Sequence, residues 1–388
     1  MHGNVPGTNS KEVYRMAKEE TSALYDLLAI RGVSRRDFLK YCGSVAAVLG
    51  LSEAMVPQIA AAVEKAGKLK PVLWLAQGLC TGCTESMAQV DSPDVPTIVL
   101  DLLSLNYWET VMAAAGDQAN ENIEKTVEAG GFIAIVEGAV MTGFEGNALR
   151  IAGKPATEEL AKILAKADAI VAVGSCAVDG GWVKANPNPA GGIGVAEFCK
   201  NEGIAVPVVN VPTCPVNPEW VVVLVIDVLL LGKLPELDAS GRPKLIFGST
   251  IHDNCPRRGH FENSEFVETF GSPEEAMGYC LYKVGCKGPQ TLTNCPTVRW
   301  NRRVSWCVES GSPCIGCGGL NWVDNSAPFV QRMADVQLPG IGGMSPDTIG
   351  IGLGAVAGGA LLVHGIAQTV TGRMGHGAPL EDEKGGGE

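Results

Sequence analysis

The chain carries thirteen cysteines, and their number and spacing are its most informative chemical feature. The count is odd, and 388 residues are enough to fold around an apolar core without the disulfides that small secreted domains need. Thiolates bind zinc or iron–sulfur clusters, and histidine is an occasional iron ligand. Metal or cluster ligation is therefore the leading interpretation of these cysteines.

From residue 80 onwards, the potential ligands form three consecutive groups of four. The first group is Cys80, Cys83, Cys176 and Cys214, the second is His252, Cys255, Cys280 and Cys286, and the third is Cys295, Cys307, Cys314 and Cys317. Twelve ligands for three cubane clusters use every cysteine in this part of the chain except Cys199, which is interpreted as a buried thiol. Zinc stays open for the first group, because four ligands with one close pair also suit a structural zinc site. Three sites in a row favour an electron path, which three zinc ions would leave unexplained.

Short apolar runs alternate with helix-like stretches between residues 70 and 214. The pattern predicts helices such as Asn120–Ala129 and Thr157–Ala167 between five strands, namely Val72–Gln77, Thr97–Leu102, Phe132–Glu137, Ala169–Gly174 and Val206–Asn210. Buried strands alternating with helices indicate an open parallel sheet with right-handed crossovers. Ligands of such sheets lie beyond the carboxyl ends of the strands, so we expect the first group to meet at that edge.

The composition changes after Gly248. Residues 252–317 hold seven cysteines, many glycines and prolines, and few long periodic stretches. A region of this kind has little apolar core of its own, and bound inorganic groups are a plausible substitute. We therefore predict a first domain over residues 63–250, a cluster domain over residues 251–330 and a connector over residues 331–347.

Composition and charge exclude several classes of protein. With 46% apolar and 19% charged residues, the chain is neither disordered nor fibrous. Its formal net charge is −12 and no basic block stands out, so no nucleic-acid partner is expected.

The amino-terminal segment resembles an export signal. Residues Ser34–Lys40 pair two arginines with a following Phe-Leu, and the weakly apolar run Val45–Ala62 ends in three alanines. This pattern predicts a twin-arginine signal region over residues 1–62 and export of the folded chain. The alternative is an ordinary amphipathic helix that begins at Ser34.

A second apolar segment lies near the carboxyl terminus. Thr348–Val370 has 23 residues without a formal charge, enough for a helix to cross a bilayer core of ~30 Å. We predict a transmembrane helix over residues 348–371, followed by a tail over residues 372–388. The chain would then be anchored at the periplasmic face of the cell membrane. The alternative is a Gly-rich buried or surface helix, because His364 and Gln368 interrupt the run.

Six ordered motifs resemble the small subunit of a [NiFe] hydrogenase. They are Cys80-Thr-Gly-Cys83-Thr-Glu-Ser, Gly174-Ser-Cys176, Pro212-Thr-Cys214-Pro-Val-Asn-Pro, Ile251-His-Asp-Asn-Cys255-Pro-Arg-Arg, Gly285-Cys286-Lys-Gly-Pro and Ser312-Pro-Cys314-Ile-Gly-Cys317. The similarity runs from about residue 70 to 330, and both end segments match the exported, membrane-anchored kind. It implies an α/β fold with a flavodoxin-like parallel-sheet N-terminal domain, an irregular cluster-binding C-terminal domain and a C-terminal hydrophobic helix.

The resemblance also implies a role for each group. The first group would bind the proximal [4Fe–4S] cluster, nearest the nickel–iron centre of a partner large subunit, and the second group the distal [4Fe–4S] cluster. The third group would bind the medial cluster. The implied function is electron transfer between that nickel–iron site and a membrane partner, a cytochrome b or an iron–sulfur/quinone-reactive subunit, during H2 oxidation or evolution. The nickel-binding cysteine pairs are absent, so no catalytic residue is assigned to this chain, and whether two heterodimers pair stays open.

Two other functions are weighed against this one. The first is a cluster-carrying electron-transfer subunit of another dehydrogenase or of a quinone-reducing complex, a type that keeps only the proximal-like cluster. The complete cluster domain, with the second and third ligand groups, argues against this alternative. The second is an exported zinc- or disulfide-held binding protein without a redox role.

The medial cluster departs from the common pattern of the family. Most members hold a [3Fe–4S] cluster there, with a proline where a fourth ligand would stand. Here the usual Trp-Pro step reads Trp306-Cys307. We predict that Cys307 supplies the fourth thiolate of a [4Fe–4S] cubane; the alternative is a [3Fe–4S] cluster beside an unligated Cys307.

The proximal motif lacks two additional cysteines that oxygen-tolerant relatives possess. Gly82 occupies one of these positions, and residues 177–190 contain no cysteine. An ordinary proximal cubane, without oxygen tolerance of that type, is therefore expected.

Of the two histidines near the second group, one is predicted to be a ligand, and the tryptophan residues near the motifs receive no chemical role. His252 is chosen as the distal ligand because it precedes Cys255 by three residues and stands at the family position. His260 is interpreted as a surface or hydrogen-bonding residue. Trp74, Trp182 and Trp322 are interpreted as packing residues.

Overall fold

The structure is a computed structural model that describes residues 70–90, 104–226, 234–330, 336–339, 342–344 and 346–371. The chain divides into two compact units, one ending at Gln331 and the other beginning at Arg332. The predicted signal region over residues 1–62, the predicted strand Thr97–Leu102 and the predicted tail over residues 372–388 lie outside the described residues. The boundary proposed near residues 248–251 lies within the first unit and stays a prediction.

A five-stranded parallel sheet forms the centre of the first unit. Its strands are β1 (Pro71–Ala76), β2 (Ser104–Trp108), β3 (Ile133–Glu137), β4 (Ala169–Val173) and β5 (Val208–Val211). Their order is β2-β1-β3-β4-β5, and every neighbouring pair is parallel. This is the flavodoxin-like order of doubly wound sheets, so the predicted α/β fold class is confirmed.

The alternation of side chains along each strand divides the core into two clusters. In β1, Val72 and Trp74 belong to one cluster of buried residues, whereas Leu73 and Leu75 belong to the other. Both faces of the sheet are therefore covered, which explains why the strands read as nearly continuous apolar runs.

Helices connect the strands and pack on both faces. They are Gly82–Met87, Asp117–Ala129, Ala156–Leu164, Gly174–Asp179, Gly181–Lys184, Val195–Asn201 and Pro218–Ile226. Two short antiparallel pairs accompany them, Val140–Met141 with Gly192–Ile193, and Arg150–Ile151 with Lys154–Pro155. In Ala156–Leu164, residues Leu160, Ile163 and Leu164 repeat at helical spacing and are buried in the second cluster.

Residues 234–330 form short helical turns joined by irregular backbone. The turns are Lys244–Phe247, His252–Asn254, Arg258–Glu262, Pro273–Ala276, Tyr282–Val284, Gly288–Gln290, Cys295–Val298 and Trp322–Ser326. Between residues 234 and 330 no helical turn exceeds five residues. Ile251, Val267, Leu281 and Val308 belong to the same apolar cluster as Val72 and the first face of the sheet. This region therefore completes the core of the sheet.

The second unit contains an antiparallel pair and one long helix. The pair is Val336–Leu338 with Gly342–Met344, and the helix is Pro346–Val370. Among the described residues, one helical segment, Thr348–Val370, is long and apolar enough to cross a membrane. Large apolar side chains such as Leu361, Leu362 and Val370 are exposed on it. The predicted C-terminal hydrophobic helix is thus confirmed.

Candidate metal centres

The first group of cysteines meets at the carboxyl edge of the sheet. Cys80 and Cys83 follow β1, Cys176 follows β4 and Cys214 follows β5. Burial raises the pKa of the Cys83 thiol well above its ordinary value, and the neighbouring Cys176 and Cys214 raise it further. Burial likewise raises the pKa of Cys176 to about 11, with contributions from Cys214 and Cys80. The four thiols therefore lie within electrostatic reach of one another.

Close backbone packing holds these thiols in place. Gly174 has φ +81°, and a Cβ added there would overlap the Cys83 Sγ. A Cβ on Gly181, which has φ +46°, would lie 3.0 Å from the Cys176 Sγ. The Val216 N–H donates to the Cys83 Sγ at 3.3 Å. Glycine is required at both positions. A Cβ there would meet a sulfur atom, and a residue other than glycine would have to adopt an unfavourable backbone conformation.

Glu137, at the end of β3, connects the first group to the sheet. Its side chain is 3% exposed and accepts hydrogen bonds from Trp74 Nε1 at 2.9 Å and from the Cys83 N–H at 3.1 Å. It also accepts from the Thr84 N–H at 3.2 Å and the Thr84 hydroxyl at 2.5 Å. The carboxylate thus fixes the backbone on which Cys83 is carried.

Glu137→Ala is expected to destabilise the first unit by about 3 kcal/mol or more, because several buried donors lose their acceptor at about 1–3 kcal/mol each. Thermal unfolding of the purified protein measures this loss. The matched control is Glu128→Ala, which removes an exposed carboxylate from the helix Asp117–Ala129 and should change the unfolding temperature little. Equal effects of the two substitutions would contradict the role assigned to Glu137.

The second group surrounds one cavity. His252, Cys255, Cys280 and Cys286 all line it, together with Arg257 and other residues. Burial raises the pKa of Cys280 to about 11, and Cys286 and Cys255 raise it further. His260 does not line this cavity; its Nδ1 lies 2.6 Å from the Glu265 Oε2. The structure therefore places His252, and not His260, with the three cysteines.

The third group also comes together, with one member at the surface. Cys295 and Cys314 are buried, Cys317 is partly buried and Cys307 is exposed. Burial raises the pKa of Cys295 to about 12, and Cys314 and Cys307 raise it further. Burial also raises the pKa of Cys317, to which Cys295 and Cys307 contribute. The Thr293 hydroxyl donates to the Cys295 Sγ at 2.7 Å.

The third group lies between the other two. The hydroxyl of Ser175, the residue before Cys176 of the first group, donates to the Cys317 carbonyl at 3.1 Å. At the opposite side, the Cys314 N–H donates to the Cys286 Sγ of the second group at 3.3 Å. The spatial order is therefore first, third, second, which differs from the order along the chain.

The donor chemistry of the three groups suits iron–sulfur clusters. Buried thiols ionise at high cost unless a metal replaces the proton, and each group supplies four metal-binding side chains. Backbone N–H groups also point at sulfur atoms, as at Cys83, Cys286 and Cys314. Within the described residues, no three His, Cys, Asp or Glu side chains are arranged to hold a single metal ion. A cubane spreads its four ligands around a larger core, so this finding concerns mononuclear sites.

Comparisons with known proteins decide the family. The family model for the C-terminal part of the NiFe/NiFeSe hydrogenase small subunit matches residues 247–330, and that of the NADH ubiquinone oxidoreductase 20 Kd subunit matches residues 80–228. The periplasmic [NiFe] hydrogenase small subunit of Solidesulfovibrio fructosivorans is 43% identical over 307 residues, covering 79% of this chain and 95% of the relative. This chain belongs to the [NiFe] hydrogenase small-subunit family. It pairs with a large subunit that holds the hydrogenase active site, and small subunits of this family carry iron–sulfur clusters.

Two further relatives agree with this assignment. The quinone-reactive Ni/Fe-hydrogenase small chain of Wolinella succinogenes is 39% identical over 349 residues, covering 88% of this chain and 97% of the relative. A chain in the crystal structure of the Ni-Fe-Se hydrogenase from Desulfomicrobium baculatum superposes with a TM-score of 0.65 and 38% identity, covering 69% of this hydrogenase subunit and 100% of that chain. The predicted family and fold are confirmed.

The structure places the three tryptophans that were expected to pack in ring or core contacts. The Trp182 ring meets Trp322 edge-on, with centroids 5.3 Å apart, and Phe329 at 5.9 Å, although 52% of its side chain is exposed. Trp322 is buried, and Trp74 packs while donating to Glu137.

Proposed function

We propose that this hydrogenase small subunit relays electrons through three iron–sulfur clusters between the nickel–iron site of its large subunit and a membrane redox partner. The observation that carries the proposal is the series of three ligand groups, joined by the hydrogen bonds Ser175–Cys317 and Cys314–Cys286. A series of closely spaced redox groups is what electron transfer over a long distance requires. A zinc-held binding protein has no need of such a series.

The ligand sets follow from the three groups. Cys80, Cys83, Cys176 and Cys214 would hold the proximal [4Fe–4S] cluster; His252, Cys255, Cys280 and Cys286 would hold the distal one; Cys295, Cys307, Cys314 and Cys317 would hold the medial one. Each cluster, when bound, accepts and releases one electron. The chain fixes their positions, excludes water around the buried thiols and directs N–H donors at sulfur, which tunes the potentials.

For the medial site we propose a [4Fe–4S] rather than a [3Fe–4S] cluster. Cys307 contributes to the raised pKa of both Cys295 and Cys317, after burial, and therefore lies within their electrostatic reach. That neighbourhood supports Cys307 as a fourth ligand. For the proximal site we propose an ordinary cubane, since Gly82 occupies the position of an additional cysteine.

The domain organisation and cellular location are part of the same proposal. We assign residues 63–250 to the flavodoxin-like domain and residues 251–330 to the cluster domain, followed by a connector over 331–347. Export by the twin-arginine signal would place the protein at the periplasmic face of the membrane, anchored by Thr348–Val370. The apolar exposed surface of that helix supports an anchor. A relative named quinone-reactive supports a cytochrome b or quinone-reactive subunit as membrane partner.

Metal analysis of the complex solubilised from membranes tests the proposal. We expect this chain to co-purify with a nickel-containing large subunit. After the iron of the nickel–iron site is subtracted, the chain should hold about twelve irons and twelve sulfides. About four irons would instead favour a protein with a proximal-like cluster alone. Stoichiometric zinc without sulfide would overturn the electron-transfer function.

A further inference from the structure

The hydroxyl of Thr293 hydrogen-bonds both the sulfur and the backbone of Cys295, a member of the third group. The Thr293 Oγ1 lies 2.7 Å from the Cys295 Sγ and accepts from the Cys295 N–H at 3.1 Å. Thr293 is 0% exposed. Solvent water therefore does not compete with the sulfur for this hydroxyl.

The direction of the bond to sulfur follows from the available protons. A threonine hydroxyl has one proton to donate and two lone pairs that accept. The Cys295 N–H uses a lone pair of the Thr293 Oγ1, and the hydroxyl proton remains for the sulfur. A cysteine that ligates a cluster is a thiolate, which can only accept. With a cluster bound, the Thr293 hydroxyl is therefore the donor.

The methyl group of Thr293 holds the side chain in this orientation. It packs against Gly318, where an added Cβ would overlap the Thr293 Cγ2. Gly318 directly follows Cys317, another member of the third group, and its carbonyl accepts from the Arg242 Nη1 at 3.0 Å. A β-branched side chain is stiff at χ1, so contacts on the methyl and the hydroxyl together fix its rotamer. Thr293 thus lies between two ligand-bearing segments.

The donor at Cys295 differs in kind from the donors at three other sulfurs. Cys83, Cys286 and Cys314 accept from backbone N–H groups, which every residue type except proline supplies. The donor at Cys295 is a side-chain hydroxyl. A single substitution can therefore remove it and leave the backbone donors in place.

We propose that Thr293 is a positioning residue whose hydroxyl orients the Cys295 sulfur and raises the reduction potential of the medial cluster. The inference rests on the proposed electron-transfer function. Reduction adds negative charge to the cluster and its sulfur ligands, so an O–H donor to a ligand sulfur stabilises the reduced state more than the oxidised state. Cys295 is a ligand in both the four-iron and the three-iron form, so the effect does not depend on Cys307.

The test compares the unmodified heterodimer with Thr293→Val, which keeps a β-branched side chain and removes the hydroxyl. At a fixed potential, EPR-monitored redox titration is expected to show the ratio of reduced to oxidised medial cluster lowered about tenfold. This corresponds to a midpoint potential lower by ~59 mV for one electron. Thr293→Ser keeps the hydroxyl and should keep the midpoint of the unmodified enzyme.

The matched control is Thr291→Val, which removes a second buried hydroxyl close to the third group. That hydroxyl donates to the Lys287 carbonyl at 2.7 Å and not to a sulfur. The medial midpoint should therefore stay unchanged in this variant.

Three results would overturn the inference. The first is an unchanged midpoint in Thr293→Val. The second is an equal decrease in Thr293→Ser, which would assign the effect to the methyl group, and the third is an equal decrease in Thr291→Val. The midpoint is measured on assembled clusters, so partial loss of iron weakens the signal without moving it.

Two further outcomes are kept apart from these. If Thr293→Val retained no medial cluster, the smaller Thr293→Ala would be titrated by the same criteria. If the unmodified enzyme itself contained no iron or sulfide, the proposed function would fail first, whatever the Thr293 variants showed.

Discussion

Gly174→Ala is expected to abolish assembly of the proximal cluster, and with it electron transfer from the nickel–iron site. Gly174 directly follows β4 and lies in the left-handed region, with φ +81°, and a Cβ there would overlap the Cys83 Sγ. Cys83 has little freedom to withdraw, because its N–H donates to Glu137 and its sulfur accepts from the Val216 N–H. The methyl group would therefore displace a ligand sulfur.

Iron analysis and H2-dependent dye reduction measure this effect. We expect about four fewer irons per small subunit. The rate of H2-dependent dye reduction should fall by about 10–100-fold or more. Gly203→Ala is the matched control, because Gly203 also has a positive φ, +68°, but a Cβ there meets no atom within 4 Å. It should cost only ~1–2 kcal/mol of stability and no iron. Full iron content in Gly174→Ala would contradict the assigned position of Cys83.

Cys307→Ala is expected to convert the medial cluster from [4Fe–4S] to [3Fe–4S]. Cys307 is the exposed member of its group, whereas Cys295 and Cys314 are buried. The iron that Cys307 would bind therefore occupies the most accessible corner and is lost once its thiolate is removed. The three remaining cysteines still hold the rest of the cluster.

The expected signature is a loss of about one iron of twelve, together with a strong, nearly isotropic EPR signal after oxidation. Cys199→Ala is the control, since Cys199 is a buried thiol in the helix Val195–Asn201, outside the three groups. It should retain all iron and show no such signal. A strong three-iron signal in the oxidised, unmodified enzyme would instead show that Cys307 is not a ligand of the medial cluster.

The local elements could be predicted from the sequence because they depend on short-range patterns. The predicted helix Asn120–Ala129 ends at the same residue as the observed helix Asp117–Ala129, and β3 differs from its prediction by one residue. Continuous apolar runs indicated strands covered on both faces, and parallel topology then brought ligands from separate strands to one edge. The motifs identified the family for the same reason, since their residues are close neighbours in the chain.

Only the tertiary structure placed the third group between the first two. The hydrogen bond between Ser175 and Cys317 and the one between Asp179 and Asn321 each join residues 142 positions apart. Helical and strand periodicity reports which face of an element is buried, but it does not report what distant segment covers that face. Such contacts arise when whole elements pack together, which is why the order of the three groups became visible only in the folded chain.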